Sequence, residues 1–176
     1  MINDTKKEPG EENAKFNSVT FGELEIKEVI NHIKNFLETD EKAGYSLVIG
    51  SDSQERKLND KRVIDIVTAV IVYKKRSGGR YFWMKQKDVN VYSLRDKINK
   101  ETLTSLTFAT TFVPMLNESL NGKKLNYDLE IHVDVGENGD TRNMIKEVVA
   151  MVNGNGFVAK TKPEAYGASY VADRYT

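Results

Sequence analysis

Four acidic residues carry side chains suited to metal-assisted hydrolysis. Asp52 lies in Ile49-Gly50-Ser51-Asp52-Ser53-Gln54, directly after the apolar run Tyr45-Ser46-Leu47-Val48, and Asp134 follows the alternating stretch Glu130-Ile131-His132-Val133. Two carboxylates at the ends of neighbouring strands would give a hard divalent cation several of the oxygen ligands it needs. Glu101, near the start of a helical stretch, and Asp173, near the C-terminus, have routes to the same point. In two-metal hydrolysis of a phosphodiester, one ion activates water and the other stabilises the leaving oxygen, with the ions ~3.5–4 Å apart. The expected cofactors are two Mg²⁺ or Mn²⁺ ions, ligated by Asp52, Glu101, Asp134 and Asp173.

Each acid taken singly also fits an ordinary structural role. An aspartate after a strand commonly bonds its own backbone in a turn, which suits Asp52 and Asp134. Glu101 shares its helix with Lys97 and Lys100, as solvated surface acids do. Asp173 has Lys160, Lys162 and Arg174 as available partners. His132 is two residues before Asp134 and so points to the same face of a strand, as an orienting group, a base or a hydrogen-bonded structural histidine. His32 belongs to no motif.

The elements that must position these residues follow from periodicity. Ile26, Val29, Ile30, Ile33, Phe36 and Leu37 recur at helical spacing, giving an amphipathic helix from Leu24 to about Glu38. Thr20 with Glu23 has capping-box spacing at its start. Tyr45 to Ser51 reads as a short strand and the β-branched run Val63 to Tyr73 as a longer one. Lys74 to Arg80 is a hairpin turn with glycines, returning as a strand from Tyr81 to Val91. Leu94 to about Leu120 is helical, with Pro114 expected to kink or divide it. Leu125 to Val135 alternates as a strand, Thr141 to Val152 is a helix, Phe157 to Thr161 a fifth strand, and Glu164 to Tyr175 a final helix after the break at Pro163.

Three antiparallel strands followed by alternating strands and helices predict an α/β fold, a five-stranded mixed sheet with helices on both faces and an extra N-terminal helix. That succession is the topology of the ribonuclease H fold. Residues 1–16, without periodicity and with Pro9 and Gly10, read as a disordered tail, leaving 17–176 as a single domain.

Bulk properties narrow the function classes. Lys plus Arg and Asp plus Glu both number 26 in the 176 residues, so no whole-molecule field draws in nucleic acid and any such binding needs a local patch. Such a patch is available at the hairpin. Lys74, Lys75, Arg76, Arg80, Lys85 and Lys87 are interleaved with Tyr81, Phe82 and Trp83, and no acid interrupts them. Cations for the backbone and aromatic faces for bases are the usual single-strand combination, although hairpin tips are also charged for solubility. The chain has no cysteine, which removes disulfides and thiolate metal sites and suits a reducing cytoplasm. The polar opening stretch does not read as a signal peptide, and no run approaches the ~18 apolar residues of a membrane span.

Four blocks together carry a family resemblance: IGSDSQ, the helix beginning Leu94-Arg95-Asp96 that contains Glu101, IHVDVGENGDT, and KPEAYGASYVAD. From about Phe21 to the C-terminus the chain resembles the YkuK-type family of bacterial proteins, which carry a ribonuclease H-like domain. The resemblance implies a metal-dependent nuclease with the acidic set Asp52, Glu101, Asp134 and Asp173. For Asp173 to reach the others, its helix must approach the sheet closely, which Ala165, Ala168, Ser169 and Ala172 allow by their size. In the commonest ribonuclease H pattern glycine follows the first aspartate. Here Ser53 does, so Ser51 and Ser53 either orient the carboxylate or crowd a strand lying across it.

The expected function is therefore phosphodiester hydrolysis on RNA or DNA. The alternative is a non-catalytic ribonuclease H-like module that binds nucleic acid or a protein. A third reading uses the glycines of Gly136-Glu137-Asn138-Gly139-Asp140-Thr141 to present N–H groups to a nucleotide phosphate. A plain turn with Asp140 or Thr141 capping the next helix fits that loop better.

Overall fold

A computed structural model describes residues 15–59, 61–123, 125–165, 170–171 and 173–175. Among the described residues, its frame is a single seven-stranded mixed sheet with three helices. The order across the sheet is β2-β1-β5-β4-β3-β6-β7. The three long central strands, β3 (Tyr45–Leu58), β4 (Lys61–Lys74) and β5 (Gly78–Asn90), are antiparallel as expected. β6 (Tyr127–His132) and β7 (Val158–Lys160) add in parallel at one side.

Two strands were not anticipated. β1 (Lys15–Ser18) and β2 (Gly22–Glu25) form a short hairpin that extends the sheet beyond β5. The sheet is therefore seven-stranded rather than five-stranded, and Lys15 and Phe16 belong to it rather than to a tail. Phe16 is the reason: its ring is 1% exposed and lies 5.6 Å from that of Phe108. Residues 1–14 lie outside the described residues. Because Gly22 to Glu25 is extended, the first helix, α1 (Ile26–Leu37), begins later than expected. Its capping box is formed by Glu25 and Glu28, whose Oε2 accepts the Glu25 N–H at 2.7 Å, and not by Thr20 and Glu23.

α2 (Leu94–Ser119) starts at Ser93, whose hydroxyl accepts the Asp96 N–H at 3.1 Å, and runs through Pro114 without dividing. A 3-10 turn (Arg142–Met144) precedes α3 (Ile145–Gly154). Strand alternation sorts the core into two faces. Leu47 and Ile49 of β3, Val70 and Val72 of β4, Phe82 of β5 and Ile131 of β6 share one cluster with Val29 and Ile33 of α1, Phe112 and Leu116 of α2, and Val148 and Val152 of α3. All three helices thus cover the same face.

The opposite face meets the C-terminal segment. Residues 170, 171 and 173 are helical, and Tyr175 stacks on Trp83 with centroids 3.8 Å apart. The rest of the expected final helix falls largely on residues 166–169 and 172, outside the described residues. Among the described residues, no helix is long and apolar enough to cross a membrane.

Candidate carboxylate site

Asp52 does not end a strand. β3 continues to Leu58 because β4 pairs with it along its whole length, Asp52 standing opposite Val67. On its other side, β6 stops at the Gly50–His132 pair. Asp52 therefore sits mid-strand towards β4 and just past the end of β6, where the sheet opens. Beyond His132 the chain keeps contact with the segment after β7: the Val133 N–H reaches the Lys160 carbonyl at 2.9 Å, and the Lys162 N–H reaches the Val135 carbonyl at 2.8 Å. These two bonds hold Asp134 beside Lys162, with Nζ 2.6 Å from Oδ1.

The acids form an electrostatic group. Burial pushes the Asp52 carboxyl above its ordinary range, opposed by the Ser53 N–H on Oδ1 (2.8 Å) and the charge of Lys97, and reinforced by Asp134 and Asp173. The Lys162 ammonium is held above the usual lysine range by its bond to Asp134, with further support from Asp52 and Asp173. Glu101 approaches from the helical layer. It is 3% exposed, accepts the Ser53 hydroxyl at 2.6 Å and lies 3.4 Å from Lys97 Nζ. Burial pushes its pKa up to about 7 against the pull of Lys97 and Ser53, with Asp52 adding to the rise.

The two serines act on the helical side of β3. Ser53 bonds Glu101 through its side chain and Asp52 through its backbone. Ser51 is 2.9 Å from both Thr68 Oγ1 and Ser105 Oγ, so it ties β3 to β4 and α2. His132 Nε2 is 3.2 Å from Glu130 Oε2, and burial lowers its pKa. Thr141 does not cap α3 through its side chain; its hydroxyl accepts the Gly136 N–H at 3.3 Å and closes the glycine loop.

The donor chemistry of these acids suits a hard cation. Among the described residues, no three His, Asp or Glu side chains are grouped to hold a metal ion. The positive charges against Glu101 and Asp134 are Lys97 and Lys162. The Lys97–Glu101 contact has a visible signal, the i,i+4 spacing. The Lys162–Asp134 contact has none, because it depends on the pairing beyond β6 and β7.

The hairpin cations are distributed by strand face. Lys74 pairs with Asp40 at 2.7 Å and Lys75 with Asp128 at 3.6 Å. Arg76 occupies the turn with a φ of 66°. Arg80 turns to the helical side, its guanidinium 5.4 Å from the Phe21 ring centroid and 5.3 Å from that of Phe36, and donates to the His32 carbonyl at 3.3 Å. Trp83 turns to the other side, beneath Tyr175.

A mixed sheet of this order, with carboxylates gathered where β3 and β6 part, has a counterpart among known families. Residues 28–176 match the family model described as Ribonuclease H-like, and the chain belongs to that family. It is similar to the "Uncharacterized protein YkuK" of Bacillus subtilis (strain 168), with 29% identity over 171 residues, covering 92% of this chain and 96% of that protein. No solved structure matches the chain.

Proposed function

We propose that this protein is a metal-dependent hydrolase of nucleic-acid phosphodiesters, acting where β3 and β6 part. One observation carries the reading: Asp134 and Asp173, distant in sequence, both lie within electrostatic reach of Asp52, and all three share Lys162 as a counter-charge. Gathering like charges is unfavourable unless they serve something positive. Asp52, Asp134, Asp173 and Glu101 are the residues proposed to hold Mg²⁺ or Mn²⁺, once drawn closer together than they stand here with Lys97 and Lys162 against Glu101 and Asp134; the ions would supply an activated water and charge for a leaving oxygen. In the present arrangement the chain's own contribution is to hold these carboxylates in place. Ser53 fixes Asp52 and Glu101, and Lys162 fixes Asp134.

The test is cleavage of RNA, DNA and hybrid substrates with Mn²⁺ or with EDTA, comparing the wild type with Asp52→Asn. The expected outcome is Mn²⁺-dependent cleavage that falls by at least ~100-fold in the variant, as loss of a group acting on the transition state does. Equal cleavage by both proteins removes Asp52 from the chemistry.

A second reading, a binding module without catalysis, is favoured by Lys97 and Lys162 standing against Glu101 and Asp134. It predicts that the wild type retains nucleic acid in a gel-shift measurement and cleaves none under any metal.

A further inference from the structure

On the face of the sheet opposite the helices there is a cavity of about 450 Å³. Its floor is a cross-strand row, Val48 of β3 beside Ile71 of β4 beside Tyr81 of β5. Tyr73 and Gly79 form the next row. His132 lines the β6 side, and Tyr170, Val171 and Arg76 complete the lining. Gly79 keeps the hairpin end compact, since a Cβ there would meet the Val72 carbonyl at 2.6 Å and Tyr73 Cβ at 2.7 Å.

We propose that this cavity is a nucleotide-binding site, taking one base with its phosphate at the hairpin end. The volume falls within the ~300–1,000 Å³ typical of small-ligand pockets. Three tyrosine rings, Tyr73, Tyr81 and Tyr170, offer faces and edges for a flat aromatic group. Tyr170 is 74% exposed, an aromatic surface left open beside an apolar cavity. The cation for the phosphate is Arg76 at the hairpin end, since Lys74, which also lines the cavity, is paired with Asp40 at 2.7 Å, and a guanidinium pairs well with phosphate oxygens. His132, 6% exposed, brings a polar ring to the wall. An aliphatic chain would fill the volume but use neither the rings nor the charge.

The cavity is also placed to serve the carboxylates. Val48, Gly50 and Asp52 point to the same side of β3, and four residues of strand span about 13 Å. With that phosphate at the hairpin end, a strand continuing from the other side of the same nucleotide would run along β3 towards Asp52. The choice of a nucleotide over other aromatic anions rests on the proposed function. The site itself rests on the cavity.

The test is calorimetric titration of the intact protein with AMP, GMP, CMP and UMP, the corresponding nucleosides, inorganic phosphate and a short single-stranded oligonucleotide. At least one monophosphate is expected to bind, its nucleoside about tenfold more weakly for want of the charged contact, and inorganic phosphate not measurably. Tyr170→Ala and Ile71→Phe are each expected to weaken binding, the second by about tenfold or more through filling the cavity. Tyr170 is exposed, so its variant tests the site even if Ile71→Phe fails to fold.

Binding of the oligonucleotide but of no free nucleotide supports the site with the strand as the source of the base. Failure of every nucleotide and of the oligonucleotide to bind overturns it. So does phosphate binding as well as the nucleotides, or affinity unchanged in both variants. Asp52→Asn is expected to lose cleavage and keep nucleotide affinity. Nucleotide binding by a wild type that cleaves nothing overturns the hydrolase reading alone, and cleavage by a wild type that binds no nucleotide or oligonucleotide in this cavity overturns the pocket alone.

Discussion

Glu101 shows how one side chain can report on the whole site. Its burial raises the folded-state pKa from 4.5 to about 7. The folded protein therefore binds this proton more tightly than the unfolded chain does. The resulting stabilisation is full below the unfolded pKa and is lost as pH rises through the folded one. From this group alone the loss is on the order of 3 kcal/mol between about pH 4.5 and 7. Glu101→Gln keeps an acceptor for the Ser53 hydroxyl and removes the titration. Denaturant unfolding in EDTA should show wild-type stability falling over that window, with the variant flat there and the more stable protein at pH 8. Parallel curves for the two proteins would place Glu101 in water. The opposing charges explain why a buried acid is tolerated: Lys97 lies 3.4 Å away and Ser53 donates at 2.6 Å.

Among the elements, β3 and the β4–β5 hairpin position most of the chemistry. β3 sends Ser51 and Ser53 to α2 and Asp52 to the opposite side, so a single strand serves both halves of the candidate site. The hairpin holds its register through close packing at Gly79. Gly79→Ala should destabilise by roughly 1–3 kcal/mol, because the new methyl meets backbone and the root of Tyr73 rather than a movable side-chain end. Gly154→Ala is the control. Nothing lies within 4 Å of its added Cβ, so thermal melts should show little change there. Equal effects at both glycines would mean that packing around Gly79 does not set the cost.

For the whole molecule, the N-terminal hairpin enlarges both sheet and core. Phe16 packs on Phe108 of α2, and Phe21 stacks on His32 of α1 with centroids 3.8 Å apart, so β1 and β2 close the end of the helical layer. Phe16→Ala should cost about 3–5 kcal/mol, the usual penalty for emptying a fully buried aromatic site. A shift in denaturation midpoint equivalent to less than ~1 kcal/mol would show the hairpin to be an accessory to the fold. The same extension lays Arg80 between Phe21 and Phe36, which draws one hairpin cation away from the surface to which charge counting assigns it.

The chain's own pattern determined the order of its central elements, because period and β-branching are local properties. It also determined which acids stand near β3, α2 and β6. The short β1 and β2 were not legible, since a four-residue strand has too little periodicity to declare itself. The tertiary structure decided everything that depends on register and face. Pairing with β4 carries β3 past Asp52, and the stop of β6 at His132 opens the sheet beside it. Alternation then turns the serines that flank Asp52 away from it, towards α2. The pairing of residues 133 and 135 with 160 and 162 delivers Lys162 to Asp134. These outcomes come from contacts between residues far apart in the chain, whose geometry no local run of sequence contains.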